Sequence, residues 1–511
     1  MSKQLVKSTV VVSVMTLISR ILGFVRDMLI ARIFGVDLAT DAFFVAFKIP
    51  NFLRRLFTEG AFAHAFIPAL ANCKEQGNQA QLKDFVDKMA GTLALILTVM
   101  TLIGVVIAPL LILVLAPGFS WQGTQHDLAT LLLQITFPYL LLIVLVAFAG
   151  SILNASGRFA VPALTPVFLN ITMIAAAIWL APLLSEPVSA LAWGVLGAGV
   201  VQLLFQMPAL MRLGLWPRLR VDFKDPRVKL TLNRMLPAIF SVSVTQINLL
   251  LDSLVASFLV VGSVSWLYYS DRLVEFPLGI LGTALATVIL PNLSKSHAVE
   301  NLAAFSDALD WGLRLVFLVG LPATIGLCLL AEPMLSTLFQ YNEFTVVDVH
   351  FAGQSLRAYA VGLLSYLFIK ILVPAFTARH DMKTPLRYGI YAMVVSFALN
   401  ILAIPLAHAG LALATSLGAI INAILLLRKL LQDRIYLPAK GWFSFFARII
   451  AASTAMSACL YNFVDAAWWP QWSAGERVIN LVMWIAIGMA VYALTLLLTG
   501  LRPRHFMVGK R

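Results

Sequence analysis

Two adjacent apolar stretches near the start of the chain carry charges that apolar helices rarely tolerate. SRILGFVRDMLIARIFG holds Arg20, Arg26, Asp27 and Arg32, and TDAFFVAFKIPNFLRRLFTEGAFAHAFIPAL adds Asp41, Lys48, Arg54, Arg55 and Glu59. On insertion scales each such group costs roughly 2.5 to 3.5 kcal/mol at a helix centre. Together they cannot face lipid, so they should line a water-filled cavity in which Asp27, Asp41 and Glu59 neutralise only part of the positive charge. Guanidinium groups take phosphate oxygens through paired hydrogen bonds, so this lining suits a phosphate or diphosphate ligand. For Arg32, Arg55 and Lys48 the competing role is snorkelling to an interface or a structural ion pair.

Further along, YYSDRLVEFPLG brings Asp271, Arg272 and Glu275 into another apolar run, with Arg314 and Lys370 as additional in-span cations. No phosphate-binding loop of the Walker type, metal-ligand spacing or nucleophile constellation accompanies these charges. Neither a cofactor nor a metal is expected, and the work of the chain should be transport of an anion across a bilayer. Cys73, Cys328 and Cys459 are scattered and read as buried apolar residues.

The elements that must hold these charges are membrane helices. Of 511 residues, 60% are hydrophobic and only 12% charged, which excludes an ordinary water-soluble enzyme. Apolar runs long enough to cross a hydrocarbon core recur about fourteen times. They lie near 9–35, 41–72, 85–115, 128–153, 160–183, 189–211, 232–259, 266–294, 305–339, 350–377, 385–405, 410–431, 441–464 and 478–500.

The connecting segments test that count, because a spurious span would invert every later loop. Alternate loops carry Lys74, Lys83 and Lys88; Arg158; Arg212, Arg218, Arg220, Lys224, Arg227 and Lys229; Lys295; Arg379, Lys383 and Arg387; and Arg428, Lys429, Arg434 and Lys440. Those between them hold no Lys or Arg. The basic set should be cytoplasmic, and with basic residues at both ends of the chain both termini should be cytoplasmic too. The net charge of +13 is thus explained by topology, and nucleic acid is not an expected partner.

Proline and alanine marks also repeat. Pro68 and Pro291, Ala155 and Ala378, and Pro162 and Pro385 are each 223 residues apart, and Pro109 and Pro333 are 224 apart. This predicts two six-helix, pseudo-symmetric lobes, 1–220 and 221–436, followed by two extra helices and a basic tail in 437–511. Asp252 takes the repeat position of Asp27, but nothing in the second lobe answers Arg20 or Arg26. The positive lining is therefore mostly a first-lobe property, with Arg272 on the other side.

Three stretches, SRILGFVRD, ATDAFFVAFKIPNFLRRLFTEGAF and VSWLYYSDRLVEFPLGILGTALATVILPNLSK, together with fourteen spans, resemble the MurJ/MviN lipid II flippase family over the whole length. The resemblance implies an all-α polytopic transporter of the multidrug/oligosaccharidyl-lipid/polysaccharide exporter superfamily, MATE-like in plan. It implies movement of lipid II, the undecaprenyl-diphosphate-linked peptidoglycan precursor, from the inner to the outer leaflet of the bacterial cytoplasmic membrane by alternating access. By motif match the substrate-binding positions are Arg20, Arg26, Asp27, Asp41, Lys48, Arg54, Glu59 and Arg272, supported by Arg55, Asp271, Glu275 and Lys370. Lipid II, membrane lipids and proteins of cell-wall synthesis are the partners implied. Three rival readings are a flippase for another polyprenyl-diphosphate-linked oligosaccharide, a multidrug or cation antiporter, which an acidic lining would serve better, and a non-transporting scaffold for cell-wall or membrane assembly, which would leave the buried charges without a task.

Overall fold

The computed structural model describes residues 3–57, 62, 65–75, 79–120, 123–298 and 301–501. Glu59, one of the expected site residues, and the basic tail from Arg502 onward lie outside them. The described residues are helical throughout their regular elements and divide into two compact units, Met1–Val264 and Ser265–Arg511.

The first unit contains α1 (Lys3–Phe34), α2 (Leu38–Arg55), α3 (Ile67–Glu75), α4 (Gln79–Val106), α5 (Ala108–Leu115), α6 (Thr124–Thr136), α7 (Tyr139–Ala155), α8 (Ala160–Ala175), α9 (Ser189–Arg212) and α10 (Pro226–Ala256). The second contains α11 (Ser263–Ala298, starting at the boundary), α12 (Leu302–Leu329), α13 (Ala331–Phe339), α14 (Val346–Thr377), α15 (Lys383–Leu402), α16 (Ala407–Gln432), α17 (Trp442–Phe463) and α18 (Ala474–Leu498). Among the described residues ten helical spans are long and apolar enough to cross a membrane. The remaining expected spans fall on α1, α2, α10 and α11, the helices with charges in their midst.

Several expected spans are two helices rather than one, and proline is the physical reason. A proline ring removes a backbone donor and clashes with the preceding turn. Pro109 accordingly sits at the start of α5, Pro138 at the joint of α6 and α7, and Pro333 just inside α13. The span expected over 41–72 also divides: α2 ends at Arg55 and Leu56–Phe57 continue in a π-helical turn before α3 begins at Ile67. Such widened turns often accompany functional sites.

In the first unit α1 packs on α8, α8 on α9, α2 on α6, and α7 on α4 and α9, while α10 touches α2, α4 and α5. An aromatic core of Phe62, Phe66, Phe85 and Phe148 fills the space beside α7, the rings of Phe66 and Phe148 lying 4.7 Å apart. The segment 215–225 runs extended along α4. The N–H groups of Arg218, Arg220 and Asp222 donate to the Asp87 carboxylate, the Asp87 carbonyl and the Thr92 hydroxyl, at 2.7, 3.3 and 3.2 Å. Gly91 makes that approach feasible: a β-carbon there would come within 2.3 Å of the Arg220 backbone. Ion pairs finish the strap, with Lys88 on Asp84, Asp222 and Asp225 and with Arg227 on Asp84 and Asp225.

In the second unit α14 is the central helix, packed on α12, α13 and α16. The α17–α18 pair is tied to α12 and α13 at its two ends. At one end Asp310 accepts from the Tyr436 hydroxyl, the Ala439 N–H and the Trp442 indole at 2.8, 3.1 and 2.7 Å and pairs with Arg314. At the other, Arg477 donates to the carbonyls of Ser336, Gln340, Pro470 and Trp472, and the Trp469 indole donates to Thr337.

Candidate functional site

The first unit builds its in-span charges onto α1, α2 and the helices facing them. α2 starts where Asp37 and Thr40 form a reciprocal cap, the Asp37 carboxylate accepting from Thr40 N–H at 2.8 Å and the Thr40 hydroxyl accepting from Asp37 N–H at 2.9 Å. That cap fixes the register of everything after it. Asp41, one residue on, is buried and accepts the Gly262 N–H at 2.7 Å, which ties the head of α2 to the chain leaving α10. Gly262 has φ +96°, a conformation that side-chain-bearing residues rarely adopt.

Two turns further, Lys48 donates to the Ser253 hydroxyl at 2.6 Å, and Arg55 donates to the Gln246 side-chain carbonyl at 3.0 Å. Both partners lie on α10. Arg54 turns instead to Asn51 on its own helix, through two bonds of 3.1 and 2.8 Å. Pro50 sits inside α2 just before this group.

On α1, Arg26 and Asp27 are 7% and 2% exposed and form an ion pair at 2.6 Å. The guanidinium also donates to Asn170 on α8 at 3.1 Å, and Asn170 in turn donates to the Ser19 carbonyl at 3.0 Å. A guanidinium of this burial is held only where its charge and its donors are met. Arg20 differs: it is solvent-accessible, two turns before Arg26 on the same helix. The fields of Arg26 and Arg54 both reach the buried Tyr139 hydroxyl, which has no hydrogen-bond partner among the described residues.

In the second unit Arg272 pairs with Glu275 at 2.6 Å and lies over the Tyr268 ring at 4.8 Å. Lys370 is exposed on α14, and its stem passes close to Gly282 on α11. Asp271 is partly buried beside Arg272 on α11.

Within the first unit, then, Arg26 and Asp27 form one group with Asn170, and Asp41, Lys48 and Arg55 share the α2–α10 boundary. Arg272, Asp271, Glu275 and Lys370 belong to the second unit. Asn170, Gln246, Ser253, Asn51 and Tyr139 were not among the residues expected from sequence. Neutral polar side chains in apolar helices are their signal, a weak one because each costs far less to bury than a charge. Among the described residues no group of histidine, cysteine, aspartate and glutamate side chains could hold a metal ion.

These groups can present cations to a polyanion in a place of low dielectric, where charge-assisted hydrogen bonds are strongest. Nothing in them resembles a nucleophile paired with a base.

The family model described as "Lipid II flippase MurJ" matches residues 30–483. Its match begins after Arg20, Arg26 and Asp27 and includes Asp41 through Arg272. A protein of Vibrio cholerae named "Probable lipid II flippase MurJ" is 47% identical over 98% of this chain and 97% of its own length. A Burkholderia cenocepacia protein named "Lipid II flippase MurJ" is 41% identical over 90% of this chain and 91% of its own length. Among solved structures, "Lipid II flippase MurJ, inward closed conformation" superposes with a TM-score of 0.80 at 26% identity, covering 95% of this chain and 98% of that one. An inward-facing multidrug resistance MATE transporter of the MOP superfamily shares the fold at 17% identity, with a TM-score of 0.67 over 83% of this chain and 98% of its own.

Proposed function

The chain belongs to the lipid II flippase MurJ family, and from that membership we propose that it translocates lipid II from the inner to the outer leaflet of the cytoplasmic membrane. It is a multi-pass transporter and not a catalyst of bond cleavage. The observation that supports this most directly is the full-length likeness to named lipid II flippases, joined to in-span arginines that suit a diphosphate.

The head group is taken up by Arg20, Arg26, Lys48 and Arg54 in the first unit, with Asp27, Asp41 and Glu59 tempering their charge. Arg272 contributes from the second unit on the strength of its repeat position, and Arg55, Asp271, Glu275 and Lys370 support it. The lobes are 1–220 and 221–436, with 437–511 supplying the two additional helices; both termini are cytoplasmic, and proteins of cell-wall synthesis are partners. Transport proceeds by alternating access. Moving one net negative charge outward across 100 mV, inside negative, is favourable by roughly 2.3 kcal/mol, so the membrane potential assists the step.

The test is depletion of the protein from growing cells followed by measurement of lipid II on each leaflet. Accumulation on the inner leaflet is expected, relieved by the parent chain and not by Arg54→Ala. Unchanged leaflet distribution after depletion would overturn the reading. In vesicles, collapse of the potential should slow exposure of lipid II, and an unchanged rate would remove the potential from the mechanism.

A further inference from the structure

We propose that the hollow where the 215–225 strap meets α10 binds the phosphate headgroup of an anionic glycerophospholipid of the inner leaflet. The proposal rests on the cytoplasmic placement of this loop. It concerns a ligand other than the transported one.

The hollow has a volume of about 480 Å³ and is lined by Phe223, Lys224, Lys229, Leu232 and Asn233. Its shape follows from local geometry. The Asp222 carboxylate accepts the N–H groups of Lys224 and Asp225 at 3.0 and 3.1 Å, turning the strap into the first turn of α10. Lys229 and Asn233 then fall four residues apart on one face of that helix, opposite Lys224. Nearby acids are already engaged: Asp222 and Asp225 with Lys88, and Asp225 also with Arg227. Lys224 and Lys229 are exposed, and among the described residues neither has an acidic partner. Two ammonium groups and an amide thus line a space whose neighbouring carboxylates, Asp222 and Asp225, are paired with Lys88 and Arg227.

The strap explains why the anion should come on a lipid. With the N–H groups at 218, 220 and 222 tied to α4, the side chains of the strap stay outward: Leu219 is 67% exposed, Val221 52% and Phe223 49%, and Arg218 and Arg220 between them are exposed as well. A row of apolar side chains leading to two lysines matches a leaflet surface, with acyl region beneath and phosphate at the level of the ammonium groups. A free phosphate ion would satisfy the lysines and leave the apolar row in water. The strap that forms one wall is tied to α4 by backbone hydrogen bonds and ion pairs in the absence of any lipid.

The experiment uses the purified full chain in neutral detergent, titrated with short-chain phosphatidylglycerol, with phosphatidylcholine of the same chain length, and with inorganic phosphate. Phosphatidylglycerol should bind saturably, and the double variant K224Q/K229Q should bind it roughly twenty-fivefold more weakly, at about fivefold per lysine. Both lysines are exposed, so the thermal midpoint in the absence of lipid should not move; if the double variant aggregates, K229Q in the same assay carries the test with about a fivefold loss. Equal affinity of parent and variant overturns the proposal. So does equal binding of phosphatidylcholine, and so does displacement of the lipid by millimolar inorganic phosphate, which would make the site one for the free ion. The readout is lipid binding and not transport. A parent chain that moves lipid II normally but does not bind phosphatidylglycerol therefore counts against the present inference alone, and a chain that binds phosphatidylglycerol but does not move lipid II counts against the proposed function alone.

Discussion

Arg477 in the second unit and Arg20 in the first both belong to long apolar helices, and the protein treats them in opposite ways. Arg477 is 7% exposed, spreads its donors over four carbonyls from α13 and the loop before α18, and lies 5.6 Å from the centre of the Tyr341 ring. Arg314 is similar, paired with Asp310 and stacked on Trp442. Their hydrogen-bonding capacity is used in holding α17 and α18 to the rest of the unit. Arg20 is exposed on the surface of α1, and Arg54 bonds Asn51 three residues before it on the same helix. A side chain exposed on its helix can turn to a ligand without separating two helices. Cost of burial identifies a charge as significant, and the origin of its partners distinguishes a staple from a binding group.

The sharpest way to break this comparison is Arg477→Met. Four carbonyls lose a donor, the Ser336 carbonyl in a buried place and the other three in part-buried ones, and at about 1–3 kcal/mol per buried group left unmet a loss of about 2–4 kcal/mol is expected. Thermal unfolding in detergent and protease sensitivity of the α17–α18 segment would report it. A loss below about 1 kcal/mol would show that Arg477 is not a staple. Asp310→Asn comes next. It keeps one acceptor oxygen but leaves Arg314 without its counter-charge, and about 2–3 kcal/mol should be lost in the same measurement.

Arg20→Ala should do the reverse. Stability should stay within about 0.5 kcal/mol of the parent, as for other exposed positions. Lipid II transport in vesicles should fall about tenfold or more, equivalent to about 1.4 kcal/mol of lost binding or barrier lowering. A variant that unfolds early but still transports would invert the assignment of roles.

How far the sequence reveals this arrangement depends on the price of each feature in an apolar medium. Arg26 and Asp27 are legible because two charges in SRILGFVRD have no inexpensive explanation, and they pair with each other within α1. The order of helices is legible for a similar reason, since loop charge alternates with every crossing. Proline breaks inside spans are visible as residues but not as breaks: Pro50 is accommodated within α2, whereas Pro109 and Pro333 open new helices, and only packing decides between these outcomes. The Asn170 contact is hidden because it joins positions 144 residues apart through a neutral side chain. The roles of Arg477 and Asp310 are hidden as well. An arginine that ends on carbonyls and an arginine that awaits a phosphate are the same letter in the same kind of helix.

The smallest effect is expected where charges are many but water is near. Asp225 caps α10, and its pairing with Arg227 and Lys88 holds its carboxyl below the usual carboxylate range. A carboxyl depressed in the folded state contributes stability that is present above its unfolded value, about 3.9, and that is lost as pH falls through the lower folded value. Protection of residues 215–225 against hydrogen exchange, corrected for the intrinsic rate, should therefore be flat between pH 5 and 8. It should weaken only below about 3.9, by roughly tenfold or less since these pairs are partly exposed. Added salt should weaken it modestly at neutral pH, because the Lys88 and Arg227 pairs lie within reach of solvent ions. The Arg477 staple should not respond to the same salt, since its partners are carbonyls and its guanidinium is buried. A strap that loosened between pH 8 and 5 would place its control in another group and remove Asp225 from the account of how the loop is held. A staple as salt-sensitive as the strap would erase the distinction between the two kinds of charge.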